Sequence, residues 1–159
     1  MEYNELMQGF ADEVGVAELE IQDGAAALAI DGMTVGFVGD EAAGAITVVV
    51  EIGNPALDAE GPLGSAMLKA NYLFGGTGGA VLCQNPETGA YAVMRSYPLV
   101  SLDVETFAGA VETLLNTAER WKGMLSGAGG AEGEDEAGKK EPDEPPSAAG
   151  FPMGGFMQV

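Results

Sequence analysis

The feature that most constrains this chain is a stripe of apolar residues near its C-terminal third. Val104, Phe107, Ala108, Val111, Leu114, Leu115, Ala118, Trp121 and Leu125 recur at steps of three and four. That spacing puts them along one side of a helix about six turns long. Ser101 or Asp103 can cap its start, with Glu105 in the first turn. A helix this long and this one-sided has to lie on an apolar surface of similar length. The preceding residues must supply that surface.

They do so as strands. Ala25 to Ile30 reads as a strand, with Leu28 and Ile30 on one face. Asp31-Gly32 is the strongest hairpin signal in the chain, because both central residues of a type I′ turn need positive φ. Met33, Val35 and Phe37 then alternate with Thr34, Gly36 and Val38, and Ile46, Val48, Val50 and Ile52 alternate with Thr47, Val49 and Glu51. A second hairpin runs from Ala80–Gln84 to Ala90–Tyr97 across Asn85-Pro86-Glu87-Thr88-Gly89. Leu19 and Ile21 alternate with acids and suggest a short lead-in to the first strand.

Two more helices complete the pattern. Residues 3–15 place Tyr3, Leu6, Met7, Phe10 and Val14 on one face. The simplest expectation is a helix lying on the sheet; the other is that part of its stripe stays open as a groove. Residues 62–74 form the middle helix. Leu63, Ala66, Met67, Ala70, Leu73 and Phe74 make its stripe, and Leu68 and Tyr72 add a second apolar face. A helix apolar on more than one side is buried or shared with a partner. The expected order is α-β-β-β-α-β-β-α, an α+β fold with helices packed on an antiparallel twisted sheet.

Charge limits the function. The chain has 25 acids against 6 bases, net −19, and residues 1–125 alone carry 18 acids and 4 bases, net −14. Such a body repels phosphate backbones and anionic lipid, so neither nucleic acid nor membrane is an expected partner. The N-terminus has no basic leader region, Cys83 stands alone and there is no His. These features suggest a cytoplasmic location and argue against a disulfide or a zinc site. The Gly75–Gly79 run follows a helix and leads into a strand, so it reads as a connector and not as a phosphate loop. Asp40-Glu41 and Asp58…Glu60 match no calcium-loop spacing. No catalytic constellation and no cofactor motif is expected.

The C-terminal region differs. Residues 126–150 are rich in Gly, Ala, Glu, Lys and Pro and read as a disordered acidic linker. Residues 151–159 turn apolar again, with Phe151, Phe156 and Met157 as candidate docking side chains. The expected organisation is a domain over 1–125, the linker, and a short apolar segment.

Residues 3–125 resemble the small acidic chaperones of bacterial type III secretion, the Tir-chaperone (CesT/SycE-like) family. The residues that carry the likeness are the helix Tyr3–Val14 and the strand end Leu28-Ala29-Ile30-Asp31. The middle helix, the hairpin Val81-Leu82-Cys83-Gln84-Asn85 with Gly89, and the last helix from Leu102-Asp103 through Phe107 to Trp121 also match. The resemblance implies no enzymatic activity. It implies a homodimer through the middle helix and a nearby strand, with Leu68, Tyr72, Val93 and Met94 as candidate contacts. Val93 and Met94 point to opposite faces, so either can add to that contact. It also implies a client: a partly unfolded N-terminal segment of a secreted effector. Leu6, Phe10, Leu28, Val35 and Phe37 are the candidate groove for it, by apolar anchoring or strand addition. The tail is a departure from the family, and its apolar end can be expected to mimic a client in that groove. The alternatives are a dimeric regulatory adaptor without a secreted client, and an enzyme or ligand binder using Asp40, Glu41 or Asp58.

Overall fold

The computed structural model describes residues 2–53 and 62–128. The elements follow the expected order: α1 (Tyr3–Glu13), β1 (Ala25–Ile30), β2 (Met33–Asp40), β3 (Ala45–Gly53), α2 (Pro62–Asn71), β4 (Val81–Gln84), β5 (Tyr91–Pro98) and α3 (Val104–Ala128). Short 3-10 turns occupy Tyr72–Phe74 and Leu99–Ser101. The five strands form one antiparallel sheet in the order β1-β2-β3-β5-β4. The fold is the expected α+β arrangement.

The turns follow their residues. Asp31 and Gly32 both take positive φ, 50° and 74°, as the two-residue hairpin needs. At the second hairpin the Asn85 side chain accepts hydrogen bonds from the N–H groups of Glu87 and Thr88. Of the two candidate caps for α3, Asp103 does the work: its Oδ1 accepts from the Thr106 N–H at 2.8 Å. Hydrogen bonds from Thr106 hold its carboxyl below the ordinary aspartate value. Ser101 instead donates to the Pro98 carbonyl.

The core lies between one sheet face and the helices α1 and α3. Along β3, Ile46, Val48, Val50 and Ile52 are buried, while Thr47, Val49 and Glu51 are half-buried on the other face. Leu6, Met7 and Phe10 come down from α1, and Phe107, Val111, Leu114 and Ala118 from α3. The centre is an aromatic triad in which each element contributes one ring. Phe10 lies 5.4 Å from Phe37 of β2 and 5.1 Å from Phe107 of α3, and Phe37 lies 6.1 Å from Phe107. These tilted and edge-on pairs add to the burial itself. Tyr3 fixes the start of α1: its hydroxyl donates to the Phe37 carbonyl at 3.1 Å and its ring rests on Gly39. A Cβ at Gly39 would come within 2.7 Å of that ring, so only glycine fits.

Two helix ends fall short of the sequence reading. The first helix ends at Glu13 and not at residue 15, which leaves Val14 outside it and exposed. The middle helix stops at Asn71 and not at Phe74. The Asn71 side chain is taken up by β4: its Nδ2 donates to the Leu82 carbonyl at 3.0 Å and its Oδ1 accepts from the Leu82 N–H at 2.9 Å. The Gly76 N–H closes back on the Ala70 carbonyl, and the chain turns. The linker and the apolar segment 151–159, including Phe151, Phe156 and Met157, lie outside the described residues, as do Asp58 and Glu60.

Because Phe107 joins both helices to the sheet and has no exposed surface, Phe107→Ala should cost about 3–5 kcal/mol of stability. A urea midpoint within error of wild type would contradict this packing.

Candidate protein-binding surfaces

The five groove candidates are not gathered on a surface. Leu6, Phe10, Val35 and Phe37 are at most 1% exposed. Leu6, Met7 and Phe10 of α1 are spent on the core, so the expected open groove between α1 and the sheet is filled by the triad. Only Leu28, half-buried on β1, keeps any surface. Val93 is also core, while Met94 is half-buried on the opposite sheet face, beside Val81 and Val49 in the strand register.

Two other surfaces are open. The first is a cleft of about 1040 Å³ at the end of the sheet, beside the start of α1. Leu19, Ile21, Leu99 and Val100 are its apolar lining, and Val100 is 90% exposed. Glu2, Asp23, Asp40 and Glu41 line its rim. The cleft reaches Gly24, the residue before β1, which is an edge strand. The Gly39 N–H donates to Gly24, and Ala25 exchanges hydrogen bonds with Gln22 on the outer side. Antiparallel pairing alternates inward and outward groups, so Ala27 and Ala29 turn their N–H and C=O groups to the open edge. The lead-in suggested by Leu19 and Ile21 is thus cleft wall, with only Gln22 bridging to Ala25. Leu99 and Val100 were missed by sequence reasoning, since a 3-10 turn after a strand carries no periodic signal.

The second surface surrounds the end of α2. Leu68 is 73% exposed, Tyr72 71%, Leu73 68% and Phe74 50%. Val81 of β4 adjoins them through the Asn71–Leu82 bonds and is also exposed. Leu73 and Phe74 hold φ of 51° and 56°, in the left-handed region that bulky residues avoid. Each such residue costs on the order of 1–3 kcal/mol. Next to them, the Thr77 hydroxyl is buried with no hydrogen-bond partner. Strain and an unsatisfied hydroxyl are therefore spent on turning two large apolar side chains to solvent. The same Asn71 amide occupies the outer edge of β4 at Leu82, which closes that edge to strand addition.

The chemistry of catalysis is thin here. Cys83 is half-buried, its thiol donates weakly to the Ala92 carbonyl at 3.7 Å, and burial pushes its pKa up. A thiol held protonated is a poor nucleophile. Asp40 accepts from the Ala43 N–H in its own turn. Among the described residues no group of three or more His, Cys, Asp or Glu is arranged to hold a metal ion, and no helix is long and apolar enough to cross a membrane.

Comparison with known proteins accounts for this architecture. The family model of the Tir chaperone protein (CesT) family matches residues 5–122. The chain belongs to the CesT family. That span runs from the first turn of α1 to the last turns of α3, so the family pattern covers the whole described fold. No curated protein matches the chain. Several solved structures share its fold. A chain of the ExsC–ExsE complex is 19% identical with a TM-score of 0.69, covering 77% of this chain and 92% of that one. A chain of the HopA1–SchA chaperone–effector complex is 20% identical with a TM-score of 0.62, covering 76% and 93%. The Yersinia pestis type III secretion chaperone SycH, in complex with a fragment of YscM2, gives 17%, 0.58, 75% and 98%. Among the described residues, the open apolar surfaces lie at the sheet end and around the end of α2.

The strain at Leu73 makes a direct prediction. Leu73→Gly removes a side chain that is 68% exposed and relieves a left-handed backbone. Stability should rise by up to about 1 kcal/mol. A loss of more than about 1 kcal/mol in urea unfolding would show that the side chain packs and that the turn is not strained.

Proposed function

We propose that this CesT family member is a type III secretion chaperone that holds a partly unfolded N-terminal segment of a secreted effector. The observation that carries the reading is the cleft lined by Leu19, Ile21, Leu99 and Val100, which reaches Gly24, the residue before the edge strand β1. An extended chain can place apolar side chains in the cleft and add its backbone to Ala27 and Ala29. A folded client offers neither. The likeness to chains of chaperone–effector complexes supports the same reading. The chaperone acts without catalysis, in the cytoplasm, where a client waits for export.

The rim gives the client a character. Glu2, Asp23, Asp40 and Glu41 favour a segment that sets Lys or Arg beside its apolar anchors. Charges this exposed are screened by salt, with a Debye length of about 10 Å at 0.1 M and about 3 Å at 1 M. Binding should therefore weaken as salt rises without being abolished, since the apolar anchors remain.

A second copy is the other partner. Leu68 of α2 and Tyr72, which opens the turn after it, are both exposed, with Met94 half-buried on β5, and a two-fold contact repeats each of them across the axis. Val93 belongs to the core and takes no part.

The test starts with the client that co-purifies from the native cells. Its N-terminal segment, as a separate peptide, should bind. The double substitution Leu19→Asp with Val100→Asp should weaken binding at least tenfold while the fold survives, because neither side chain is fully buried. Unchanged affinity in the double variant, or binding that needs the client's folded part, would refute the cleft as the client site.

A further inference from the structure

The acidic body has one island without acids. From Gly61 to Pro86 the sequence holds no Asp or Glu and a single base, Lys69. All four bases of residues 1–125 sit on elements that meet at the Gly75–Gly79 loop. Lys69 is on α2, whose end is closed by the Gly76-to-Ala70 hydrogen bond. The Arg95 guanidinium donates to the Gly78 carbonyl at 3.1 Å. Arg120 and Lys122 flank Trp121, whose indole N–H donates to the Gly76 carbonyl at 3.2 Å. The loop that Arg95 and Trp121 hold follows Leu73 and Phe74 directly in the chain, so the elements that carry these bases converge beside the strained apolar turn.

The chain that leaves α3 has the complementary order. Trp121 pins α3 to the island, and the chain continues past Ala128 about 10 Å further along the helix. Residues 129–150 then carry seven acids against Lys139 and Lys140, and Phe151, Met153, Phe156, Met157 and Val159 follow. Acids come first, where the bases are; apolar residues come second, where the bare face is. A linker of this composition and length spans about 26 Å on average, against a radius of gyration of about 14 Å for a domain of this size. Reach is no obstacle. The other open surface is a poor host for it, because the rim of the Leu19–Val100 cleft is itself acidic.

We infer that the segment Phe151–Val159 docks in cis on the α2 face formed by Leu68, Tyr72, Leu73, Phe74 and Val81, and thereby competes with the second copy for that face. The tail then governs assembly and does not imitate the client. A tethered segment acts at an effective concentration of about 1 mM. An intrinsic dissociation constant of about 0.1 mM is enough to keep it about nine-tenths docked. Both protomers must release their tails before α2 meets α2, so the dimer dissociation constant rises by up to about a hundredfold. The inference does not rest on the effector reading; it shares with it only the α2 dimer.

The test compares the full chain with the full chain carrying Phe151→Asp and Phe156→Asp. Neither substitution lies among the described residues. At a concentration where both are monomeric, the tail variant should shift the NMR signals of Leu68, Leu73 and Val81 and leave those of Leu19 and Val100 in place. Sedimentation should then show the variant dimerising at least tenfold more tightly, and Tyr72→Asp in the wild-type background should shift the Leu73 and Val81 signals as tail release does. Signals at the α2 face that ignore the tail substitutions, or changes at Leu19 and Val100 instead, overturn the docking site. An unchanged dimer constant with a docked tail overturns the competition. If neither chain dimerises, the α2 dimer fails, while the shifts still decide where the tail sits.

Discussion

The contact of Phe10, Phe37 and Phe107 is what the rest of the structure depends on. It brings α1, the sheet and α3 to one point and leaves no room between them. Everything on the inner face of the sheet is thereby committed to stability. A core at native packing density has no vacant groove to lend to a client. Binding in this chain therefore has to be peripheral: at strand edges, at the ends of the sheet, and on the helix that the triad does not include.

That partition explains α2. It stands beside β4, with Leu63 and Met67 reaching the core and Leu68 and Tyr72 facing out. Asn71 uses one side-chain amide to end the helix and to close the β4 edge, in the way a neighbouring strand would. Among the described residues, β1 is bridged on its outer side only by Gln22. Among the described residues one edge of the sheet is thus occupied at Leu82 and the other is bridged only at Ala25, which gives strand addition a direction. The left-handed pair Leu73–Phe74 follows from the same turn, and its cost makes sense only if the displayed face is covered by something.

Much of this was legible in the sequence. The strand alternation at Met33–Phe37 and Ile46–Ile52, the Asp31-Gly32 turn and the α3 stripe each obey a local rule, and the fold obeys all of them. The binding surfaces were harder to read, for a physical reason. Periodicity reports which residues share a face, but not whether that face is already covered. Leu6, Phe10, Val35 and Phe37 looked the same from the sequence whether the groove was open or filled. Leu68 and Tyr72 stood out because they broke the stripe of their own helix. The cleft could not be seen at all, since Leu19 and the Leu99-Val100 pair come from two distant segments that only the fold brings together. The end of α2 at Asn71 was likewise invisible, because its cause lies eleven residues away at Leu82.

The central claim is that an unfolded client segment lies along the β1 edge and its adjoining cleft. Hydrogen exchange on the chaperone–client complex measures this most directly. The account predicts new protection at the amides of Ala27 and Ala29 and along the client's N-terminal segment, with the β4 edge at Leu82 unchanged. Protection confined to a folded part of the client, with Ala27 and Ala29 exchanging as fast as in the free chain, would contradict it.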